Sequence, residues 1–194
     1  MNLYKFAKNV VAIIFFPLYR IKIIGKDNVP KKGAVIICSN HISNLDPPVV
    51  GITSPRDIHF MAKGELFENR FLRKLLLGIQ AFPVKRGLSD RNALRKGLEI
   101  LKNGETLGLF PEGTRSKDGE IGKALAGAGF FALRSEAEIV PCLIIGPYKP
   151  FKRLTVIYGK PMNIKHYREN RTSAKDTAEA IMNEIRILKE KHQK

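Results

Sequence analysis

From Gly33 onward, short apolar runs alternate with stretches of helical periodicity, and this alternation limits the fold more than any single residue does. Residues 34–38, 57–62, 79–84, 106–110, 139–145 and 154–159 read as strands: short, apolar and bounded by glycine, proline or polar residues. Between them, residues 65–77 place apolar side chains at 67, 71, 72, 75 and 76, and Gly78 stops the stripe. Ser89 reads as the cap of a helix with Leu94, Leu98 and Leu101 on one face and Gly104 at its end. Residues 123–136 are helical in tone, with Gly127 and Gly129 small enough for close approach to a neighbour. Ser173 caps a last helix with Ala178, Ile181, Met182, Ile185 and Leu188 on one stripe. Strands alternating with helices predict a single-domain α/β layered fold, a mostly parallel or mixed sheet flanked by helices.

The 194 residues suffice for one domain with a real core. Charge is the unusual quantity: 34 Lys and Arg against 18 Asp and Glu give +16. Such a surface suits a polyanion, whether an anionic membrane, an acidic protein or nucleic acid. Against nucleic acid, aromatic residues are only 8% and no recognition motif is present. The first 24 residues form a separate segment in this reading, with the domain proper at 25–194. Ten apolar residues from Val10 to Tyr19, flanked by Lys5, Lys8, Arg20 and Lys22, span as helix only about 15 Å, half a bilayer core. Basic flanks and the aromatics Phe15, Phe16 and Tyr19 favour an interfacial anchor over a helix covering the domain's own core. Cys38 and Cys142 lie in strand-like runs and read as small hydrophobes, and no His/Cys cluster has the spacing of a metal site.

The first apolar run empties into Asn40-His41-Ile42-Ser43-Asn44-Leu45-Asp46. Strand ends of an α/β sheet are where such folds bind ligands. A neutral imidazole there can take a proton, and a carboxylate five residues on can fix its tautomer. Asp46 also precedes Pro47 and Pro48, a good helix start with Asp as cap. Two further turns follow strands: Lys85-Arg86-Gly87, and Pro111-Glu112-Gly113-Thr114-Arg115. Gly113 allows a tight turn, and Thr114 and Arg115 add a hydroxyl and a guanidinium suited to a phosphate. His59 reads as structural, in mid-strand with no acidic partner nearby; His166 and His192 read as solvated.

Together these blocks resemble the glycerolipid acyltransferase family, in order and at matching spacing over residues 33–145: Asn40-His41 with Asp46, then Phe82-Pro83-Val84-Lys85-Arg86, then Phe110-Pro111-Glu112-Gly113-Thr114-Arg115, then Val140-Pro141-Cys142. Met61-Ala62-Lys63-Gly64-Glu65-Leu66-Phe67 resembles a stretch common between the first two. The resemblance implies transfer of a fatty acyl group from coenzyme A or acyl carrier protein to a lysophospholipid hydroxyl, lysophosphatidic acid above all, at the cytoplasmic face of the membrane and without metal or organic cofactor. It implies His41 as general base with Asp46 as its partner. It also implies Arg86, Lys85, Glu112, Gly113, Thr114 and Arg115 as the acceptor site, with Cys38 and Ser43 not nucleophiles. Glycerol 3-phosphate or another lysophospholipid is the same-family alternative acceptor, and a basic nucleic-acid-binding module the remote one.

Overall fold

The computed structural model describes residues 3–85, 90–116 and 118–192. In chain order the elements are α1 (Leu3–Leu18), β1 (Lys22–Ile24), β2 (Val35–Ser39), α2 (Asp46–Thr53), β3 (Ile58–Lys63), α3 (Arg70–Gly78) and β4 (Ala81–Val84). Then follow α4 (Arg91–Lys102), β5 (Thr106–Leu109), α5 (Gly127–Arg134), β6 (Glu138–Ile145), β7 (Thr155–Tyr158), α6 (Lys165–Glu169) and α7 (Ala174–His192). The strands form one seven-stranded sheet in the order β1-β7-β6-β2-β5-β3-β4. Every neighbouring pair is parallel except β6–β7, so the expected layered α/β fold with a mostly parallel, mixed sheet is the fold observed.

β2 sits at the centre, and all five of its residues are buried, as a strand covered on both faces requires. One face packs Ile36, Cys38, Leu107, Leu109, Ile139 and Leu143 against α4, α5 and α7; the other packs Val35, Ile37, Val140, Cys142 and Ile144 against α1 and α2. The alternation along β2 and β6 thus feeds two cores from one sheet. Since β2, β5, β3 and β4 are parallel, their C-terminal ends open on the same edge.

Several local expectations shift. β1 was hidden inside the basic N-terminal segment, because three residues beginning with Lys22 carry too little periodicity to register as a strand; it pairs with β7, and Tyr19 before it is buried. α1 runs through Pro17 to Leu18 and is anchored on its inner side: Ile58 N–H donates to the Tyr4 hydroxyl (2.9 Å), and Lys8 Nζ donates to Ser54 O (3.0 Å) and lies 3.7 Å from Asp57. α4 is capped by Asp90, which accepts from Asn92 N and Ala93 N; the cap expected at Ser89 falls outside the described residues. α7 keeps its expected Ser173 cap, whose Oγ accepts from Asp176 N at 3.1 Å. α3 carries the strongest surprise: its apolar stripe is left without a single buried residue. His59 is not without an acidic partner, since Nε2 lies 3.2 Å from Glu105 Oε2; burial pulls its pKa down, and Glu105 opposes this.

Of the two glycines in α5, only Gly129 is under constraint. A Cβ there would stand 1.8 Å from the Ala174 carbonyl oxygen at the start of α7, whereas one on Gly127 meets nothing within 4 Å. Gly129→Ala should therefore cost about 1–3 kcal/mol or more by overpacking, at about 2–4 °C of melting midpoint per kcal/mol for a chain this size. Gly127→Ala should be neutral or stabilise by up to about 1 kcal/mol through helix propensity. Thermal denaturation of both variants checks this; equal midpoints would contradict the packing of α5 on α7.

Candidate active site

The site begins where β2 runs out. Asn40 turns its side chain across to β6: Nδ2 donates to Ile144 O (3.0 Å) and Oδ1 accepts from Ile144 N (2.7 Å). This amide completes a ladder-like contact where the strand has ended and so fixes the exit direction of the chain. His41 follows, with 8% of its surface exposed, its ring stacked on Phe110 at 4.2 Å between centroids and 23° between planes. Phe110 in turn stacks on Phe60 at 6.0 Å. The ring therefore lies on a slab of aromatic surface built from the residue after β5 and the middle of β3.

Asp46 is fully buried at the first residue of α2. It does not cap that helix. Its carboxylate turns back over the preceding turn, where Oδ2 accepts from Ile42 N (2.7 Å) and Ser43 N (2.8 Å) and lies 2.7 Å from His41 Nδ1. Oδ1 accepts from the Tyr148 hydroxyl at 2.6 Å. A buried carboxylate is costly unless its lone pairs are filled, and here backbone amides, a phenol and the imidazole fill them. Beside the Asp46 carboxylate a neutral imidazole presents Nδ1–H, and in that tautomer Nε2 is unprotonated and able to accept a proton. Among the described residues Nε2 has no hydrogen-bond partner.

The turn after β5 is stitched to this one. Glu112 Oε1 accepts from His41 N (3.0 Å) and Oε2 from Gly122 N (3.0 Å), while Ser116 N donates to His41 O (2.8 Å). Both backbone groups of His41 are thus held by residues on either side of Arg115. Gly113 closes the turn at φ 67°, with its N–H on Phe110 O at 2.9 Å. A Cβ there would also meet Leu125 Cδ1 at 2.3 Å. Thr114 and Arg115 are exposed beside it.

The remaining expected residues spread further along the edge. Lys85 is exposed just past β4, and its backbone N–H donates to Asp90 Oδ2 at 2.9 Å. Arg86 lies outside the described residues. In the strand order β4 stands three places from β2, roughly 14 Å at ordinary inter-strand spacing, whereas β5 is β2's immediate neighbour. Lys85 lies just past the end of β4 on His41's edge, but the turn bearing Arg115 is the nearer. Cys38 is fully buried in β2 and its thiol is pushed well up by burial, so it offers no thiolate; Ser43 Oγ accepts from Leu45 N at 3.2 Å. Two contributors escaped sequence reasoning. Tyr148 follows β6 with no motif around it, and Asn40 looked like part of the turn rather than the strap that sets it.

A family model for acyltransferases matches residues 20–145. The chain is 32% identical over 167 residues to the 1-acyl-sn-glycerol-3-phosphate acyltransferase of Bacillus subtilis (strain 168), covering 83% of each chain. It is 32% identical over 146 residues to the chloroplastic 1-acyl-sn-glycerol-3-phosphate acyltransferase of Arabidopsis thaliana, covering 74% of this chain and 41% of that one. The crystal structure of the 1-acyl-sn-glycerophosphate (LPA) acyltransferase of Thermotoga maritima superposes with a TM-score of 0.70 at 24% identity, over 96% of this chain and 78% of that one, a likeness of fold. With the family model spanning both the His41–Asp46 turn and the Glu112–Arg115 turn, the chain belongs to the acyltransferase family.

Proposed function

We propose that this protein moves a fatty acyl group from an acyl thioester to the free hydroxyl of lysophosphatidic acid. The observation that carries the reading is the 2.7 Å contact of His41 Nδ1 with a fully buried Asp46, in a chain of this family. His41 Nε2 takes the acceptor's hydroxyl proton as that oxygen attacks the thioester carbonyl. A carbon–oxygen bond forms, the carbon–sulfur bond breaks, and the proton passes from the imidazolium to the departing thiolate. Asp46 steadies the imidazolium between those events. The scheme draws on no metal or organic cofactor. The thiol is that of coenzyme A or an acyl carrier protein; the +16 charge suits an acidic carrier and an anionic membrane alike. Lysophosphatidic acid is favoured over other acceptors by the names of the relatives and by Arg115, a planar donor fork suited to phosphate, next to the residue that bonds the His41 carbonyl.

The membrane reading rests on what the two outer helices leave uncovered. No helix among the described residues is long and apolar enough to cross a membrane. α1 nonetheless exposes Phe6, Ile13 and Ile14, the last two by 75% and 52%, while its other side is tied to the domain. α3 exposes Phe71 by 82% and Leu77 by 51%. Leu3 of α1 lies against Gly78 of α3, so the two helices touch at these ends. Surrounded by lysine and arginine, they suit the anionic interface of a bilayer, at about 1 kcal/mol for each cation near the surface.

His41→Ala should lower turnover by about 10²- to 10⁴-fold, the value of a positioned base, with the fold retained by circular dichroism; thiol release with lysophosphatidic acid and an acyl thioester measures it, and wild-type turnover would refute the assignment. Arg115→Ala should raise KM for lysophosphatidic acid by roughly 10- to 150-fold, as expected for losing a hydrogen bond to a charged group. Lys85→Ala should raise it far less. Equal KM changes would place the phosphate nearer β4. Ile13→Ser with Phe71→Ser should reduce co-sedimentation with anionic vesicles while leaving the melting midpoint in place; unaltered sedimentation would contradict the two-helix surface.

A further inference from the structure

Asp46 has two oxygens, and only one faces the histidine. The other, Oδ1, accepts from Tyr148 at 2.6 Å, the shortest of the four hydrogen bonds to this carboxylate. Tyr148 comes from the loop between β6 and β7, on the opposite side of β2 from the Glu112–Arg115 turn. Its ring meets Tyr19 edge-to-face at 5.5 Å and 81°, and Tyr19 meets Phe15 of α1 the same way at 5.3 Å and 85°. The loop is fastened to the same place by backbone bonds: Leu154 N to Tyr19 O (2.9 Å), Lys22 N to Leu154 O (2.9 Å) and Phe151 N to Leu18 O (2.6 Å). Burial first, and the Asp46 charge second, hold the Tyr148 phenol well above its ordinary range, so the hydroxyl remains a donor.

We infer that Tyr148 is a positioning residue of the acyl transfer: its hydroxyl fixes the rotation of the Asp46 carboxylate, and through it the imidazole of His41, while the Phe15–Tyr19 stack holds the phenol at the correct height. This rests on His41 acting as the base. Without the phenol, the backbone amides of Ile42 and Ser43 still hold Oδ2, but nothing among the described side chains holds Oδ1, and the carboxylate gains freedom to turn. The base is then less often aligned with the acceptor hydroxyl, a loss that falls on turnover rather than on binding. The stack also puts the last turn of α1, the helix assigned to the lipid interface, three aromatic rings from the catalytic carboxylate.

A double-mutant cycle tests this on the intact protein with lysophosphatidic acid and an acyl thioester. Tyr148→Phe should lower kcat by roughly tenfold, the lower end for a hydrogen bond to a charged group, with KM for both substrates unchanged. In an Asp46→Asn background the same substitution should cost less than about twofold, since a group acting through Asp46 is non-additive with it. Wild-type kcat in Tyr148→Phe, or an equal fold-loss in both backgrounds, would overturn the assignment. A readout independent of turnover keeps the test separate from the proposed reaction: the low-field proton resonance of His41 Nδ1–H should move downfield in Tyr148→Phe, as Asp46 loses a competing donor. An unmoved resonance overturns the inference even if the wild type proves inert towards these substrates, which would refute the reaction instead. Should Tyr148→Phe fail to fold, Tyr19→Leu keeps the phenol and removes its support; kcat should fall by a few-fold with KM unchanged, and unaltered kcat would overturn the role of the stack.

Discussion

A carboxylate with no solvent exposure sits at the centre of the candidate site, and much of the surrounding structure satisfies it. Taking Asp46 out of water is costly, and the cost is offset only if every lone pair finds a donor. The two amides of the turn at Ile42 and Ser43 do part of this, which requires the chain to reverse tightly between β2 and α2. The position of Asp46 in the first turn of α2, where the backbone dipole favours negative charge, helps without adding a hydrogen bond. Imidazole and phenol complete the set. A histidine held this way has one tautomer and one ring orientation, which a base acting on a hydroxyl requires.

The sheet supplies the rest by adjacency. β2 lies between β5 and β6, so three strand ends meet beside His41. From β6 come the contacts to Asn40 and, one loop later, Tyr148; from β5 come Phe110 beneath the ring and Glu112 on the backbone amide. Glu112 serves here as a structural clamp: both its oxygens are occupied by backbone N–H groups of His41 and Gly122. Arg115, between the clamp and Ser116, is left exposed at the mouth of the site.

How much of this was legible in the sequence depended on the range of the interaction. The strands from β2 to β7 and the helices α4 and α7 are written in local periodicity, and the His41–Asp46 pair in a spacing of five residues. The Asp-Pro-Pro signal also pointed to a cap, and tertiary context overrode it: the carboxylate finds better donors in the turn behind it. Tyr148 lies 102 positions from Asp46, and no local pattern encodes a contact of that range. α3 was read as an amphipathic helix over 65–77, whereas it spans Arg70–Gly78, and amphipathicity does not state which side of the protein its apolar face meets. In this fold none of its residues is buried, and its end at Gly78 lies against Leu3 of α1.

The central claim is that Asp46 fixes His41 with Nδ1 protonated and Nε2 free to accept a proton. The most direct measurement is the ¹⁵N chemical shift of both ring nitrogens of His41 in selectively labelled protein at neutral pH. The account predicts a pyrrole-like shift and an attached low-field proton at Nδ1, a pyridine-like shift at Nε2, and loss of this pattern in Asp46→Asn. A protonated Nε2 in the wild type, or the same spectrum in Asp46→Asn, would contradict it.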